Sequence, residues 1–235
     1  LQAGGLFGGA QPHETFEEMA AAYIEEMRSV QPHGPYLLGG FSGGGITALE
    51  IARQLRDAGE EIGLLVMLDT PAPSLGDSLT TLDRITIQLQ DVRRERFAYV
   101  GNWWRNRRSW QQAMKAKQGA TTHETGALHN AEVEEAFYRA LSRYHLCYYE
   151  GEITLFRPPQ AVLHRLRGGR AIDHDRNFLH HDNGWGAYCP KLTLTEVPGD
   201  HDSMVLEPHV RVLAAHLRAA IESAAADGPD ARPTR

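Results

Sequence analysis

Apolar and polar residues alternate in blocks along the first part of the chain. Thr15-Phe16-Glu17-Glu18 has the form of a capping box, with Thr15 as the N-cap, and apolar residues at a spacing of three and four follow it. This pattern predicts a helix that ends before residues 31–35. A short apolar run from Tyr36 then predicts a strand, and a second helical pattern continues to about Ala58.

Four further blocks extend the pattern. Residues 62–68 are continuously apolar, as in a strand buried on both faces of a parallel sheet. Residues 152–156 and 192–197 predict two more strands, and apolar positions from Val210 to Ile221 predict a closing helix. Strands that alternate with helices in this way indicate an α/β fold whose mostly parallel sheet carries helices on both faces.

Residues 75–150 interrupt the alternation with helical patterns, which predicts a helical lid inserted between strands. A second amphipathic helix there, from Val133 to Tyr144, is expected to serve packing. The insertion also concentrates basic residues among tryptophans. These residues indicate either a solvated helix face with tryptophans packed beneath it or a surface for an acidic partner. They are Arg93, Arg94, Arg96, Arg105, Arg107, Arg108, Lys115 and Lys117, with Trp103, Trp104 and Trp110.

Composition narrows the class of protein. The 235 residues carry a net charge of −6, which argues against a nucleic-acid partner. The cysteines Cys147 and Cys189 have no partner motif, which indicates a reducing compartment, hence a cytoplasmic location. No apolar run reaches the length of a membrane helix, and no signal peptide is found. We expect one domain over residues 1–225 and a disordered tail over 226–235.

The chemistry centres on the glycine-rich turn after the first strand. Residues 40–44 read Gly40-Phe41-Ser42-Gly43-Gly44, which fits the G-x-S-x-G nucleophile elbow. Glycine is expected at positions 40 and 44 because a side chain there would collide with the backbone. The N–H of Gly43, at a helix N-terminus, would face an oxyanion. A glycine-rich turn with an incidental serine is the alternative interpretation.

Two further candidates follow predicted strands. Asp69 comes directly after residues 62–68, and His201 follows the last strand within Pro198-Gly199-Asp200-His201-Asp202. His201 would act as general base for Ser42, and Asp69 would orient its imidazole. Asp173, Asp175 and Asp182, downstream of the strand at 152–156, are the alternative acids. Together with His174, His180 and His181 they have no standard zinc spacing, so no metal is expected.

Three segments together resemble the C-terminal thioesterase domains of modular polyketide synthases and nonribosomal peptide synthetases: residues 34–45, 64–73 and 197–205. The helix after Thr15, the phrase from Val30 to Tyr36 and Asp182-Asn183-Gly184-Trp185 are similar to that family too. The resemblance implies an α/β-hydrolase fold. It also assigns the acid of the triad to Asp69, with Ser42 as nucleophile and His201 as base.

The family also implies a reaction and a partner. A carrier protein, expected upstream in the same polypeptide, delivers an acyl or peptidyl chain on its phosphopantetheine arm, and no cofactor is bound to the domain itself. Ser42 takes the chain as an ester, which hydrolysis or macrocyclisation releases. A homodimer is compatible with the sequence, whereas a membrane partner is not expected.

One departure from the family concerns the N-terminal strands. In the family several strands precede the helix at Thr15, and a loop after one of them supplies a second oxyanion donor. Here these strands are apparently missing, with Leu1-Gln2 as the stub of the last one. We therefore expect an exposed flank of the sheet and weak catalysis from this chain alone.

Three alternative functions share the same features. A stand-alone type II editing thioesterase has the same fold, and a generic esterase or lipase shares the triad. A non-catalytic α/β-hydrolase-like module that binds acyl chains or carrier proteins belongs to a different class. The complete set Ser42, Asp69 and His201 argues against the binding module, whereas the missing oxyanion loop favours it.

Overall fold

Helices and strands alternate in the computed structural model, which describes residues 13–73, 78–95, 125–174 and 177–226. The helices of these residues are α1 Phe16–Val30, α2 Gly44–Asp57, α3 Thr81–Glu95, α4 Thr125–Arg143 and α5 Val210–Ala226. The strands are β1 Tyr36–Phe41, β2 Ile62–Leu68, β3 Glu152–Arg157, β4 His164–Arg165, β5 Ala171–Ile172 and β6 Lys191–Glu196.

The main sheet has four strands in the order β1-β2-β3-β6, and every pair is parallel. This confirms the predicted parallel sheet. Since all four strands run in one direction, the turns after β1, β2 and β6 meet at the same edge of the sheet. Two hydrogen bonds extend the ladder past the strand ends. They run from the N–H of Ser42 to the carbonyl of Leu68 (2.9 Å) and from the N–H of Asp69 to the carbonyl of Phe156 (2.7 Å).

Apolar side chains cover both faces of this sheet. On one face Leu65, Met67, Ile153 and Leu155 are fully buried in a core cluster that includes residues of α1 and α2. On the other face Val66 and Phe156 pack with Leu213 of α5. The continuous apolar run of β2 therefore serves two cores at once, which confirms the prediction of helices on both faces.

The first helix begins as the capping pattern predicts. Thr15 is the N-cap of α1, and its hydroxyl accepts a hydrogen bond from the N–H of Glu18 at 3.1 Å. The Glu18 carboxylate accepts from the N–H of Glu14 (3.3 Å). This donor lies one residue before that of an ideal capping box.

The contacts divide the chain into two units. One comprises Leu1–Leu75, His129–Gln160 and His181–Arg235 and contains the main sheet. The other comprises Gly76–Leu128 and Ala161–His180. The lid predicted at 75–150 stays a prediction, because residues 96–124, with most of the basic residues and tryptophans, lie outside the described part of the chain. The predicted tail falls almost wholly on residues 227–235, which also lie outside it.

The second unit contains α3 and an antiparallel hairpin of β4 and β5. Residues 157–190 carry no periodic pattern, so a loop is expected there; the hairpin corrects this expectation, because strands of two residues show no alternation. Polar contacts join α3 to the hairpin. Arg170 pairs with Asp83 at 2.7 Å, and the His164 ring lies between Gln90 (3.1 Å) and Asp91 (3.2 Å).

Strand β1 borders a cavity. Within the described residues β1 pairs with β2 alone, and Leu37 on β1 is half-exposed. A cavity of about 700 Å³ beside it is lined mainly by side chains of α1, α2 and β1. Its lining does not include Ser42, Asp69 or His201. The expected stub Leu1-Gln2 lies outside the described residues. Across the described helices, none has the length and apolar character needed to span a membrane.

A substitution at Met67 tests how much the core beneath the site contributes to the free energy of unfolding. Met67 is fully buried in β2, so Met67→Ala should lower the free energy of unfolding by about 2–5 kcal/mol through lost contacts and a residual cavity. Val30, at the end of α1, is 87% exposed, and Val30→Ala should change the free energy of unfolding by less than about 0.5 kcal/mol. Guanidinium unfolding followed by circular dichroism measures both. Equal losses would contradict the assignment of this core.

Candidate active site

Ser42 lies on a strained turn between β1 and α2. Its φ of 52° is left-handed, a conformation that costs a non-glycine residue about 1–3 kcal/mol. Neighbouring groups hold the turn. The carbonyl of Ser42 accepts hydrogen bonds from the Thr70 hydroxyl at 2.8 Å and from the N–H of Gly45 at 3.1 Å. The turn presents the Ser42 hydroxyl at the carboxyl edge of the sheet.

The glycines of this turn differ in what surrounds them. A Cβ at Gly40 would collide with the backbone of Gly44 and Gly45, as expected. The collision expected at Gly44 is wrong, because a Cβ there meets nothing within 4 Å. The crowded positions that sequence reasoning missed are Gly45, where a Cβ would meet the Thr70 side chain, and Gly43, where it would meet the Phe137 ring.

Gly43 is the N-cap of α2. Its N–H belongs to the first turn of the helix, where backbone donors have no partner within the helix and the helix dipole favours negative charge. Phe137 of α4 packs against this residue. The position suits stabilisation of an oxyanion next to Ser42.

The structure brings the three residues of the predicted triad together. The Asp69 Oδ2 and His201 Nδ1 atoms are 2.8 Å apart, and His201 Nε2 lies 3.1 Å from Ser42 Oγ. A carboxylate at Nδ1 selects the tautomer that donates from Nδ1, so Nε2 is left to accept the Ser42 proton. Asp69 itself has a left-handed φ of 44°. Its side chain is 17% exposed and that of His201 is 43% exposed.

The alternative acids have other partners. Asp173 accepts hydrogen bonds from the N–H and the side chain of Asn177. The Asp182 carboxylate accepts from the N–H groups of Gly184 and Gly186, both at 2.8 Å. Asp175 lies outside the described residues. Of the candidates that the structure describes, Asp69 is therefore the carboxylate that contacts His201.

A compact loop carries His201. Gly199 has a φ of 108°, which favours glycine, and the loop then closes through Asp200 and Ser203. The Asp200 carboxylate accepts from the Ser203 hydroxyl (2.7 Å) and from its N–H (2.9 Å). These hydrogen bonds hold the pKa of Asp200 below its usual value. The Phe41 ring stacks on the imidazole of His201 with centroids 4.9 Å apart.

Sequence reasoning missed the residues behind the acid. Thr70 is fully buried, and its carbonyl accepts a hydrogen bond from Trp185 Nε1 at 2.7 Å. Asn183 Nδ2 lies 2.9 Å from Asp69 Oδ1. The family resemblance includes the motif from Asp182 to Trp185 but assigns it no role. Its position in the sequence, directly after a histidine- and aspartate-rich stretch, does not indicate a contact with Asp69.

Metal ligation has no candidate site in the described ranges. Among these residues no group of three or more His, Cys, Asp or Glu side chains could hold a metal ion. The arrangement offers instead a hydroxyl, an imidazole and a carboxylate in line, which is the set needed for nucleophilic acyl transfer.

The parallel sheet, the strained serine turn and this line of side chains define the α/β-hydrolase class. The family model for the thioesterase domain matches residues 2–221, and the chain belongs to this family of hydrolases. Among curated relatives, the non-reducing polyketide synthase ntnG of Nectria sp is 28% identical over 209 residues, covering 88% of this chain and 10% of the relative. Polyketide synthase PksR of Bacillus subtilis is 45% identical over 71 residues, covering 30% of this chain and 3% of the relative. The chain thus spans a small part of the relatives it matches.

Solved structures show the same relationship. The thioesterase domain from the nocardicin cluster is 25% identical with a TM-score of 0.55, covering 90% of this chain and 76% of that one. A four-domain nonribosomal peptide synthetase is 26% identical with a TM-score of 0.63, covering 93% of this chain and 17% of that one. The type II thioesterase of the borrelidin cluster, 16% identical with a TM-score of 0.52 over 90% of this chain and 75% of that one, shares the fold.

The surroundings of Gly44 and Gly45 predict opposite effects for one added methyl group. Gly45→Ala should destabilise the protein by about 1–3 kcal/mol, because the methyl displaces the buried Thr70 side chain that holds Ser42. Gly44→Ala enters open space in a helix and should stabilise the protein by up to about 1 kcal/mol. Urea unfolding and the rate of labelling by a fluorophosphonate measure stability and serine reactivity. Equal effects of the two variants would refute this account.

The Asp200 loop predicts a pH-dependent stability. Because folding lowers the pKa of Asp200, its ionised form stabilises the native state above the unfolded pKa of about 4, and this contribution is lost as the pH falls through the lower folded value. Asp200→Asn should therefore be less stable than the parent at pH 7, with a difference that closes in acid. Asp202→Asn removes the same charge from the same loop and serves as control. Thermal unfolding at several pH values measures this, and a difference independent of pH would contradict it.

Proposed function

We propose that this thioesterase domain releases an acyl, polyketide or peptidyl chain from the phosphopantetheine thioester of a carrier protein, with Ser42, His201 and Asp69 as catalytic triad. The observation that carries the proposal is the continuous line of contacts from Asp69 Oδ2 through both ring nitrogens of His201 to Ser42 Oγ. The relationship to polyketide and nonribosomal peptide assembly proteins supports a carrier-bound substrate.

Acylation of Ser42 is the first half of the reaction. Ser42 Oγ attacks the thioester carbonyl as its proton passes to His201 Nε2. Asp69 stabilises the imidazolium through Nδ1, and the N–H of Gly43 donates to the oxyanion. Collapse of the tetrahedral intermediate breaks the C–S bond, and His201 returns the proton to the departing thiol of the phosphopantetheine arm.

Deacylation repeats these steps with a different nucleophile. Water, or a hydroxyl or amine of the bound chain, attacks the ester of Ser42 and gives its proton to His201. The proton then returns to Ser42 Oγ as the ester bond breaks. Attack by water gives a free acid, whereas attack by a group of the chain gives a ring. The domain needs no bound cofactor for either outcome, since the phosphopantetheine arm belongs to the carrier partner.

Two other functions make different predictions for the same residues. A type II editing thioesterase hydrolyses stalled acyl groups from carriers through the same acyl-Ser42 ester. A non-catalytic binding module forms no ester. Ser42 is partly exposed and its hydroxyl lies in line with His201 Nε2, which favours the two enzymes over the module. Comparing long cognate chains with short acyl groups on a carrier protein separates the enzymes from each other.

Intact-protein mass spectrometry after incubation with an acyl-N-acetylcysteamine thioester tests the proposal. The parent chain should gain the mass of one acyl group, and Ser42→Ala should not. Turnover in Ser42→Ala and in His201→Ala should fall by several orders of magnitude, and in Asp69→Asn by about 10⁴-fold.

A matched control removes a hydroxyl elsewhere. Ser29 lies at an exposed position of α1, and Ser29→Ala should keep both the adduct and the turnover of the parent. An adduct that persists in Ser42→Ala would refute the assignment of the nucleophile. A folded parent chain that gains no adduct would favour the binding module.

A further inference from the structure

Left-handed backbone conformations concentrate at the proposed site. Among the described residues three that are not glycine have a left-handed φ: Ser42 (52°), Asp69 (44°) and Asn183 (51°). Two of them are the proposed nucleophile and acid. Such conformations cluster at functional sites, where surrounding contacts hold them in place. The third, Asn183, has no part in the mechanism derived above.

The side chain of Asn183 contacts the acid directly. Its Nδ2 donates to Asp69 Oδ1 at 2.9 Å and approaches the carbonyl of Thr70 at 3.4 Å. Its Oδ1 faces Gln160 Nε2 at 3.5 Å. Because the reverse orientation would set an amide oxygen against a carboxylate oxygen, these contacts define which end of the amide faces Asp69. The other oxygen of the acid, Oδ2, faces His201.

The loop of Asn183 is fixed on both sides. The carbonyl of Asn183 accepts from the N–H of Ala72 at 2.8 Å. The Asp182 carboxylate accepts hydrogen bonds from the N–H groups of Gly184 and Gly186. Trp185 is fully buried, and its ring N–H donates to the Thr70 carbonyl. The amide therefore meets Asp69 already in place, with little freedom left to lose.

We propose that Asn183 is a positioning residue of the triad, an inference that rests on the proposed function. A carboxylate can rotate about its Cβ–Cγ bond, and one hydrogen bond from His201 does not prevent this. A second donor on Oδ1 fixes the plane of the carboxylate, so Oδ2 stays aligned with His201 Nδ1. A hydrogen bond to a charged acceptor is also stronger than one between neutral groups.

The alternative role of Asn183 is purely local. Asparagine tolerates the left-handed region better than most residues and is common in turns for that reason alone. Glycine separates the two roles, because it adopts the same φ without strain but carries no amide. A turn residue can be replaced by glycine without loss, whereas a positioning residue cannot.

Asn183→Gly should keep the melting temperature of the parent and lower kcat by about 10- to 100-fold, the effect of losing a hydrogen bond to a charged group. KM should change little, because the amide faces the acid. Asn183→Asp keeps the shape and the turn but sets a second carboxylate against Asp69, and its kcat should fall further. Turnover of the acyl-N-acetylcysteamine thioester measures kcat and KM. If Asn183→Gly does not fold, Asn183→Asp carries the test.

A double-mutant cycle distinguishes positioning from a general disturbance. In the Asp69→Ala background Asn183→Gly should cost no further activity, since its partner is already gone. The matched control is Asn177→Gly, which removes another asparagine that donates to an aspartate, Asp173, and should leave kcat unchanged.

Three outcomes decide the inference. Parent-like kcat in Asn183→Gly, with Ser42→Ala inactive, overturns the role of Asn183 and leaves the proposed function intact. The same holds if the losses of Asn183→Gly and Asp69→Ala are fully additive. Turnover that survives in Ser42→Ala overturns the proposed function together with the inference that rests on it.

Discussion

Thr70 joins the turns on which the proposed site depends. Its hydroxyl donates to the carbonyl of Ser42, and its own carbonyl accepts the ring N–H of Trp185. It follows Asp69 directly, so one buried residue connects the serine turn, the acid turn and the loop of Asn183. Because Thr70 has no exposed surface, water cannot replace its partners, and losing the contact between its hydroxyl and the Ser42 carbonyl would leave a buried group unsatisfied. The spacing of the site is thereby coupled to the core.

The parts of the fold with strong periodicity were accessible from the sequence. A short continuous apolar run is typical of a strand covered on both sides, and β2 is such a strand, with consecutive residues buried in two different cores. Once the sheet is parallel, residues that follow its strands share one edge, so strand order, the G-x-S-x-G motif and the family resemblance together predicted that Ser42, Asp69 and His201 lie close to one another. The two residues of β4 and of β5 carry no such periodicity and were missed.

The finer features depend on contacts between distant segments. The positions of the Thr70 and Phe137 side chains determine which glycines are crowded. The sequence therefore predicted a collision at Gly44 that does not occur and did not predict the one at Gly45. Asn183 is 114 positions from Asp69, and a four-residue turn motif does not reveal what its side chain reaches. The residue type alone does not reveal that an asparagine or an aspartate has a left-handed φ. The sequence thus predicted the candidate reacting groups, whereas the groups that hold them became visible only in the structure.

The left-handed residues have a consequence for laboratory evolution of this domain. Ser42 and Asp69 store backbone strain that glycine would release, so the positions where chemistry is expected are also positions where its loss is rewarded by a firmer fold. A library screened only for expression or heat resistance will enrich inactive proteins. Selection for yield favours glycine at these positions, whereas selection for turnover disfavours it. A useful screen must therefore measure product in every round.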